Sequence, residues 1–586
     1  QYVDGTLVLR ADVADRATAD GRVAFTFDGA TAELLSLRVT DELPDLPTAE
    51  SLTQNGYDTQ VYEAKTGLVM SPTVVAEGDE LSAAGTAVVD RGTHISVRNY
   101  VVRLDKRVLA GFRIEDLSTA AAFAQYASVN GIVDVKIFSS QLQVLQTACA
   151  GRPGIRAILD CSGMVLPDPV EATSLAGRAG ARVVVLDLDD AQPETVRAIQ
   201  ARGVAVWVRA GSGTEVYTAI RSGADGLVTG DWEGAMDAIE SFPVGQRVLS
   251  RSTVITAHRG LHEDAPENTE RAAALAAEAG ADAIECDVHL SADGVVMVNH
   301  DSTTGALMNQ DVFLSAATQL QLQSLTFRNK ALAGERMPTL AQLFQAVGDS
   351  DTIFLVEIKS EDPALIPALV RTVYACGMED RVVFLSYSGE QLSRVRGQMP
   401  EAAVGYLAAC TQSGADIAAN LKAMAEQLDP LCAFYSCPQE AQTTALTRAA
   451  RHRGILIHPW TVDEYELFEQ KYYDGYHGIT TDRADYASYY LTGVEALQTE
   501  ITFQAGEEGG GSLQVVQQAR CGAETVNASC FLQISGDAVV EMDENGRLFS
   551  RTLGTAVVLL GSTATLPATQ VPYRMYSAPV TLFCTE

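Results

Sequence analysis

Two periodicities alternate along the middle of the chain. Between residues 253 and 491, short apolar runs (Val254–Ala257, Ile353–Ile358, 381–385, 403–407 and 455–457) are separated by stretches rich in Ala, Leu, Glu and Gln, such as 270–279 and 389–396. The short runs read as strands and the longer ones as helices. That rhythm predicts βα units on a parallel sheet, most economically a (β/α)8 TIM barrel over 251–495. Further on, from about residue 496, the pattern changes to short Val/Thr/Leu strands with a Gly509-Gly510-Gly511 turn. An Asn545-Gly546 pair between alternating strands predicts a hairpin there.

The same rhythm occurs once before. Gly203-Val-Ala-Val-Trp-Val and Gly223-Ala-Asp-Gly echo Gly454-Ile-Leu-Ile-His-Pro and Gly475-Tyr-His-Gly, while 135–140 echoes 382–387 and 109–116 echoes 353–360. The echoes keep one order at offsets of roughly 244 to 252, as an internal repeat does. We therefore expect 105–250 to be a degenerate, non-catalytic barrel-like α/β unit. Residues 1–104 are β-rich, either the distorted front of that barrel or a separate β domain, with the former favoured. The tail, 496–586, is expected to be a small all-β sandwich.

Composition narrows the class. The chain has 586 residues, 47% of them hydrophobic and 20% charged, enough for about three or four globular domains. Its 75 acidic and 42 basic residues give a net charge of −33. Such a polyanion disfavours nucleic acid and anionic membranes as partners. No apolar run is long enough to span a bilayer. The charge, with a start at Gln1, suits an extracellular, periplasmic or cell-surface protein whose signal or anchor has been removed. Ten cysteines are scattered without C-x-x-C spacing. Cys149, Cys376 and Cys410 read as small core residues, whereas Cys521, Cys530 and Cys584 in the tail admit one disulfide.

The chemistry concentrates in four segments: His258-Arg259-Gly260 with Pro266-Glu267-Asn268-Thr269, then Glu285-Cys-Asp287, Asn299-His300-Asp301 and Glu357-Ile-Lys359. Strand parity puts Glu285 and Asp287 on one face, and likewise Glu357 and Lys359. Three carboxylates make a hard-oxygen half-shell that fits Ca²⁺ or Mg²⁺ better than Zn²⁺; salt bridges to Arg259 and Lys359 are the simpler alternative. Histidines near neutral pKa can move protons, although a lone histidine is more often structural.

Together with Asp293-Gly294, these segments resemble the glycerophosphodiester phosphodiesterase family in order and spacing across 253–482. The resemblance implies metal ligation by Glu285, Asp287 and Glu357, and proton transfer by His258 and His300. It also implies charge neutralisation by Arg259 and Lys359, with Glu267 and Asn268 helping to form the site. Pro266 to Thr269 also read simply as a helix N-terminus. Trp460-Thr-Val-Asp463 is similar to the family's Trp-Thr-Val-Asn, which implies that Trp460 walls the substrate pocket, or else packs in the core. Asp in the last position puts that polar contact in doubt. The family pattern gives His262 and His458 no role, and His94, His452 and His477 belong to no constellation. His289 shares the parity of Glu285 and Asp287, at the rim. The tail resembles bacterial immunoglobulin-like modules.

The expected reaction is metal-dependent hydrolysis of a glycerophosphodiester, small or polymeric, to glycerol phosphate and an alcohol. A neighbouring glycerol hydroxyl or water is the nucleophile. The rivals are a lyase-type phospholipase that stops at a cyclic phosphate, and a binding protein of the cell surface with residual activity. Cell-wall or membrane-surface association is kept open, as are the leaving group and the oligomeric state.

Overall fold

The apolar runs in the middle of the chain pair as the strands of one parallel sheet. The protein is known from a computed structural model that describes residues 2–3, 6–7 and 65–586, apart from 79, 91–92, 105–106, 166–167, 264, 330–333, 349, 413 and 507–509. It divides into two units, Gln1–Thr48 and Ala49–Glu586. In the first, Tyr2–Val3 pairs antiparallel with Thr6–Leu7. Everything below concerns the second.

Eight parallel strands surround the later core. Val254–Ala257 lies between Gly478–Thr481 and Ala283–Leu290, and the sheet continues through Ile353–Ile358, Val382–Ser386, Ala403–Tyr406, Ala433–Pro438 and Ile457–Trp460. Val462 N donates to Thr480 O at 3.0 Å, which brings the last two strands together. A ninth strand, Val296–Val298, folds back antiparallel on the outer end of Ala283–Leu290. Alternation sets the inside and the outside. Ile353 and Leu355 fill the barrel interior, so Glu357, next in the same parity, emerges at the C-terminal mouth. Ile255, Ala257 and Ile479 face the helices, which turns Thr256 and His258, and Thr480 and Asp482, inward and upward.

The earlier segment is a closed barrel of seven parallel strands: Thr73–Gly78, Val108–Arg113, Val135–Ser139, Ile155–Asp160, Val183–Asp187, Ala205–Arg209 and Gly226–Thr229. Thr73–Gly78 pairs with Gly226–Thr229 on one side and Val108–Arg113 on the other. So a strand from before residue 105 belongs to this barrel. Residues 8–64, for which a β-rich front was expected, lie outside the described residues. At the mouth of this barrel Arg113 and Arg209 alternate with Glu77 and Asp160. Arg113 reaches Glu77 at 3.0 Å and Asp160 at 2.8 Å; Arg209 reaches Asp160 at 2.8 Å and also bonds Glu77. Each charge is spent on its neighbours.

The two barrels meet bottom to bottom. Arg156–Asp429 at 2.6 Å, Arg453–Asp134 at 2.7 Å and His477 Nε2 donating to Gln200 O at 2.9 Å join residues at strand starts or in the helix ends and turns that lead into them. One apolar cluster runs through both interiors and includes Phe138, Ile158 and Trp207 with Leu355, Leu385 and Phe434. Gly454 (φ +71°) sits where a Cβ would lie 2.6 Å from Val183 Cγ2, so glycine is needed both for the turn and for the close approach. Both mouths therefore face away from the seam.

From Leu491 onward the chain is all-β, in three small sheets. The hairpin expected at Asn545-Gly546 is present: Val540–Met542 pairs with Arg547–Ser550, and the Asp543 carboxylate accepts from Asn545 N and Arg547 N. The tail is fastened to the later barrel, with Arg520 2.9 Å from Asp282. All ten cysteines are free thiols, so the disulfide admitted for the tail is not formed. Cys530 and Cys584 lie on strands separated by Gly554–Thr565, two sheet spacings apart and beyond disulfide reach. Among the described residues no helix is long and apolar enough to cross a membrane.

Candidate active site

The mouth of the later barrel gathers its charges from adjacent strands. Asp287 and Glu357 are register partners, and one oxygen each of Glu285, Asp287 and Glu357 lies within 4.8 Å of the others. Glu285 and Asp287 are almost fully buried, at 4% and 1% exposure. Glu285 Oε1 and Asp287 Oδ1 accept no hydrogen bond, an arrangement that costs free energy unless a cation meets them. Burial, and then repulsion from Asp287 and Glu357, pushes the Glu285 carboxyl well up; burial and Asp287 push Glu357 up against the pull of Lys359. This orphaned, mutually repelling oxygen set fits a hard divalent cation.

Cations and an amide frame it. Lys359 Nζ stands 3.0 Å from Glu357 Oε1 and 3.5 Å from Asp287 Oδ1. Arg259 donates its backbone N–H to Glu285 Oε2 at 3.0 Å and its guanidinium to Glu267 at 2.9 Å, with Nε 3.5 Å from Asp287. Asn268 donates Nδ2–H to Asp287 Oδ2 at 2.9 Å and accepts from Asp287 N at 3.2 Å. Arg259 and Asn268 both adopt positive φ, 56° and 57°, and are tied together by Asn268 N donating to Arg259 O. Thr269 caps the following helix, Glu270–Glu278, by accepting from Ala272 N. The helix start and the site are thus built from one loop.

Both expected histidines stand beside a carboxylate. His258 Nδ1 donates to Asp482 Oδ1 at 2.7 Å, which leaves Nε2 of the neutral ring as the basic nitrogen. His300 Nδ1 lies 2.8 Å from Asp301 Oδ1. His289, at the buried end of its strand, donates Nε2–H to the His300 carbonyl at 3.1 Å, steadying that turn. Trp460 is half-buried and meets Tyr387 edge-on, with ring centroids 6.3 Å apart.

Sequence alone singles out neither Asp482 nor Tyr387, assigns His262 no role, and marks Asp463 only as a departure from the family pattern. Asp482 bridges His258 and His262, whose Nε2 is 3.2 Å away. His262 therefore has a charged neighbour, and the Asp482 carboxylate at 3.2 Å pushes its pKa up. Burial would raise the Asp482 carboxyl, but the two imidazoles against it hold it far below the ordinary range. Asp463 accepts from Asp482 N at 2.8 Å and from Thr481 Oγ1 at 3.2 Å, holding this strand end. Tyr387 stands near Glu357, and burial followed by that charge raises its phenol. The parity that put Glu357 at the mouth was available for Asp482 too, from Gly478–Thr481. His458 and His477, by contrast, lie against each other at the barrel floor with centroids 5.2 Å apart, far from this chemistry.

Residues 258–486 match the Glycerophosphoryl diester phosphodiesterase family. A glycerophosphodiester phosphodiesterase of Caldanaerobacter subterraneus subsp. tengcongensis is 34% identical over 236 residues, 39% of this chain and 94% of that protein. The chain belongs to this family. A second relative, the glycerophosphodiester phosphodiesterase of Bacillus subtilis, is 24% identical over 41% of this chain and 86% of its own length. Among solved structures, a phosphodiesterase of Oleispira antarctica in complex with the product sn-glycerol-3-phosphate aligns at 23% identity. That alignment covers 40% of this chain and 94% of the other, with a TM-score of 0.37. The phosphodiesterase family match begins at His258 and ends just past Asp482, so it contains every charged group of the mouth and none of the earlier barrel.

Proposed function

We propose that the chain hydrolyses glycerophosphodiesters to glycerol phosphate and an alcohol at the mouth of its later barrel. One observation carries the reading. In a member of this family, three clustered carboxylates, two cationic side chains and two carboxylate-oriented imidazoles converge on one face. Glu285, Asp287 and Glu357 would hold a divalent cation, Ca²⁺ or Mg²⁺, which supplies Lewis-acid charge for the phosphate oxygens. Arg259 and Lys359 add fixed positive charge beside it, matched to the phosphodiester anion. His258, held by Asp482, takes on Nε2 the proton of the nucleophile, either water or the neighbouring glycerol hydroxyl; in the latter case water then opens the cyclic phosphate to glycerol phosphate. His300, the more exposed of the two, returns a proton to the departing alkoxide. Trp460 and Tyr387 form an aromatic wall on one side of the substrate.

We read the earlier barrel as a decayed copy of the later one, supported by the ordered echoes and by the ion-paired ring where catalytic groups would stand. The tail is read as an immunoglobulin-like surface module, supported by its hairpin.

The test is a panel of glycerophosphocholine, glycerophosphoethanolamine and polymeric glycerol phosphate, with Ca²⁺ and Mg²⁺ titrated into chelator-treated protein. Release of glycerol phosphate that requires the added cation is expected. If all three substrates stay intact with either cation, the proposal fails. Phosphorus NMR on the same reactions separates hydrolysis from a lyase: a cyclic phosphate that persists would assign the latter.

A further inference from the structure

The seam between the barrels holds more positive charge than it uses. A cavity of about 320 Å³ there is lined by Arg152, Arg156, Arg182 and Arg396, with Asp429 as its one carboxylate and Cys432 at its floor. Asp429 is already engaged, by Arg156 at 2.6 Å and by Gly154 N at 3.0 Å. Arg396 gives its two terminal nitrogens to Leu431 O and Gly177 O, at 2.9 and 2.8 Å. Arg152 gives NH1 to Ala150 O at 2.8 Å.

Arg182 is different. It is 3% exposed, its Nε donates to Cys432 Sγ at 3.2 Å, and its NH1 and NH2 find no acceptor. Two open donors on a buried guanidinium are costly to leave unmet. The thiol beside them reports the same field: burial would raise Cys432, but Arg182 and Arg396 together hold it below its ordinary value. All this sits in a chain of net charge −33, so the local excess of cations is not a by-product of composition.

The missing partner is anionic, and the chemistry narrows it. Four arginines against one carboxylate call for more than a single negative charge. Guanidinium forks match tetrahedral phosphate oxygens in geometry. The volume lies at the lower end of small-ligand sites and exceeds what a bare halide needs. The rim residues Gln146, Ala150 and Gly151 are exposed, so the cavity has an entrance from solvent. We propose that this cleft binds a phosphomonoester, its phosphate seated on the open NH1 and NH2 donors of Arg182 and its substituent toward the Arg152 rim.

Calorimetric titration of the full chain with glycerol 3-phosphate, inorganic phosphate and acetate tests this, comparing wild type with Arg259→Gln, Arg182→Gln and Arg152→Gln. Glycerol 3-phosphate binding that survives Arg259→Gln at the catalytic mouth and is lost in Arg182→Gln is expected, with diesterase turnover of Arg182→Gln unchanged. Arg152→Gln is expected to weaken it by about tenfold, the loss of one charge-assisted contact. Should Arg182→Gln fail to fold, the rim variant decides: unaltered affinity there overturns the proposal. So does binding wholly abolished by Arg259→Gln, or acetate bound as tightly as phosphate. Tighter binding of glycerol 3-phosphate than of inorganic phosphate supports a monoester, and equal binding overturns the role of the substituent.

Discussion

Replacing Asp482 by Asn keeps the shape of the side chain and removes its charge. The carboxylate accepts from His258 Nδ1 at 2.7 Å, and that bond leaves Nε2 basic. An amide at this position can present its NH2 to Nδ1 and so favour the tautomer whose Nε2 is protonated and unable to accept a proton. A hydrogen bond to a charged group contributes about 1.5–3 kcal/mol, which corresponds to roughly a ten- to hundredfold loss of turnover. The assay is alcohol release from a glycerophosphodiester at saturating cation, with kcat and KM measured separately, since the loss belongs in kcat. His262→Gln, which removes only the second partner of Asp482, is expected to cost a few-fold at most. Stability gives an independent check. The folded pKa of Asp482 is depressed, so its pairing stabilises the fold above the unfolded value, about 3.9. That contribution is lost as pH falls through the folded value. Because Asp482 also raises the His262 pKa, the melting difference between wild type and Asp482→Asn should grow as pH falls from neutral and that imidazole takes its proton, then shrink as pH falls further through the folded carboxylate value. A variant with wild-type kcat would refute the orienting role, and a melting difference that persists undiminished below the ordinary carboxylate range would refute the electrostatics.

Other perturbations probe other parts of the fold. Phe434→Ala opens a cavity in the core shared by both barrels and should cost about 3–5 kcal/mol in denaturant unfolding; a cost below about 1 kcal/mol would mean the barrels do not share that core. Lys136 is fully buried beside Asp134, and burial pushes its pKa down to about 8. Between that value and the unfolded one the unfolded chain binds more protons, so stability rises with pH there. Lys136→Met should abolish the rise and leave the melting temperature equal or higher at pH 7, because Asp134 keeps Arg453 at 2.7 Å; a lower one would count against it. Tyr387→Ala should raise KM for the diester more than it lowers kcat, and the opposite split would remove Tyr387 from the substrate wall.

Much of the later barrel was legible because its strands are continuous apolar runs and its site residues sit at their ends. Ile353 and Leu355 dictate where Glu357 must point, and the same parity links Glu285 with Asp287. Asp482 was not legible for a different reason. Its role depends on Gly478–Thr481 closing back on Val254–Ala257, a contact between residues more than two hundred positions apart. His262 was overlooked because its partner was. The early strand Thr73–Gly78 was hard to place because only its neighbours, Gly226–Thr229 and Val108–Arg113, mark it as part of a closed ring. The cavity at the seam could not be read at all: Arg182 and Cys432 come from different barrels and have no sequence relation.

The bottom-to-bottom union also determines where this chain can tolerate change. The turns that precede the strands, around Asp134, Arg182, Gly203, Asp429 and Gly454, are wedged against one another, and an added residue there would pry the halves apart. The loops at the two outer ends have no such counterpart. Insertions, grafted recognition loops or fusion partners should therefore be accepted at the exposed turn 309–311 and at 163–165, one beside each barrel mouth. The paired barrels thus offer two mouths that can be altered separately while the seam between them stays as it is.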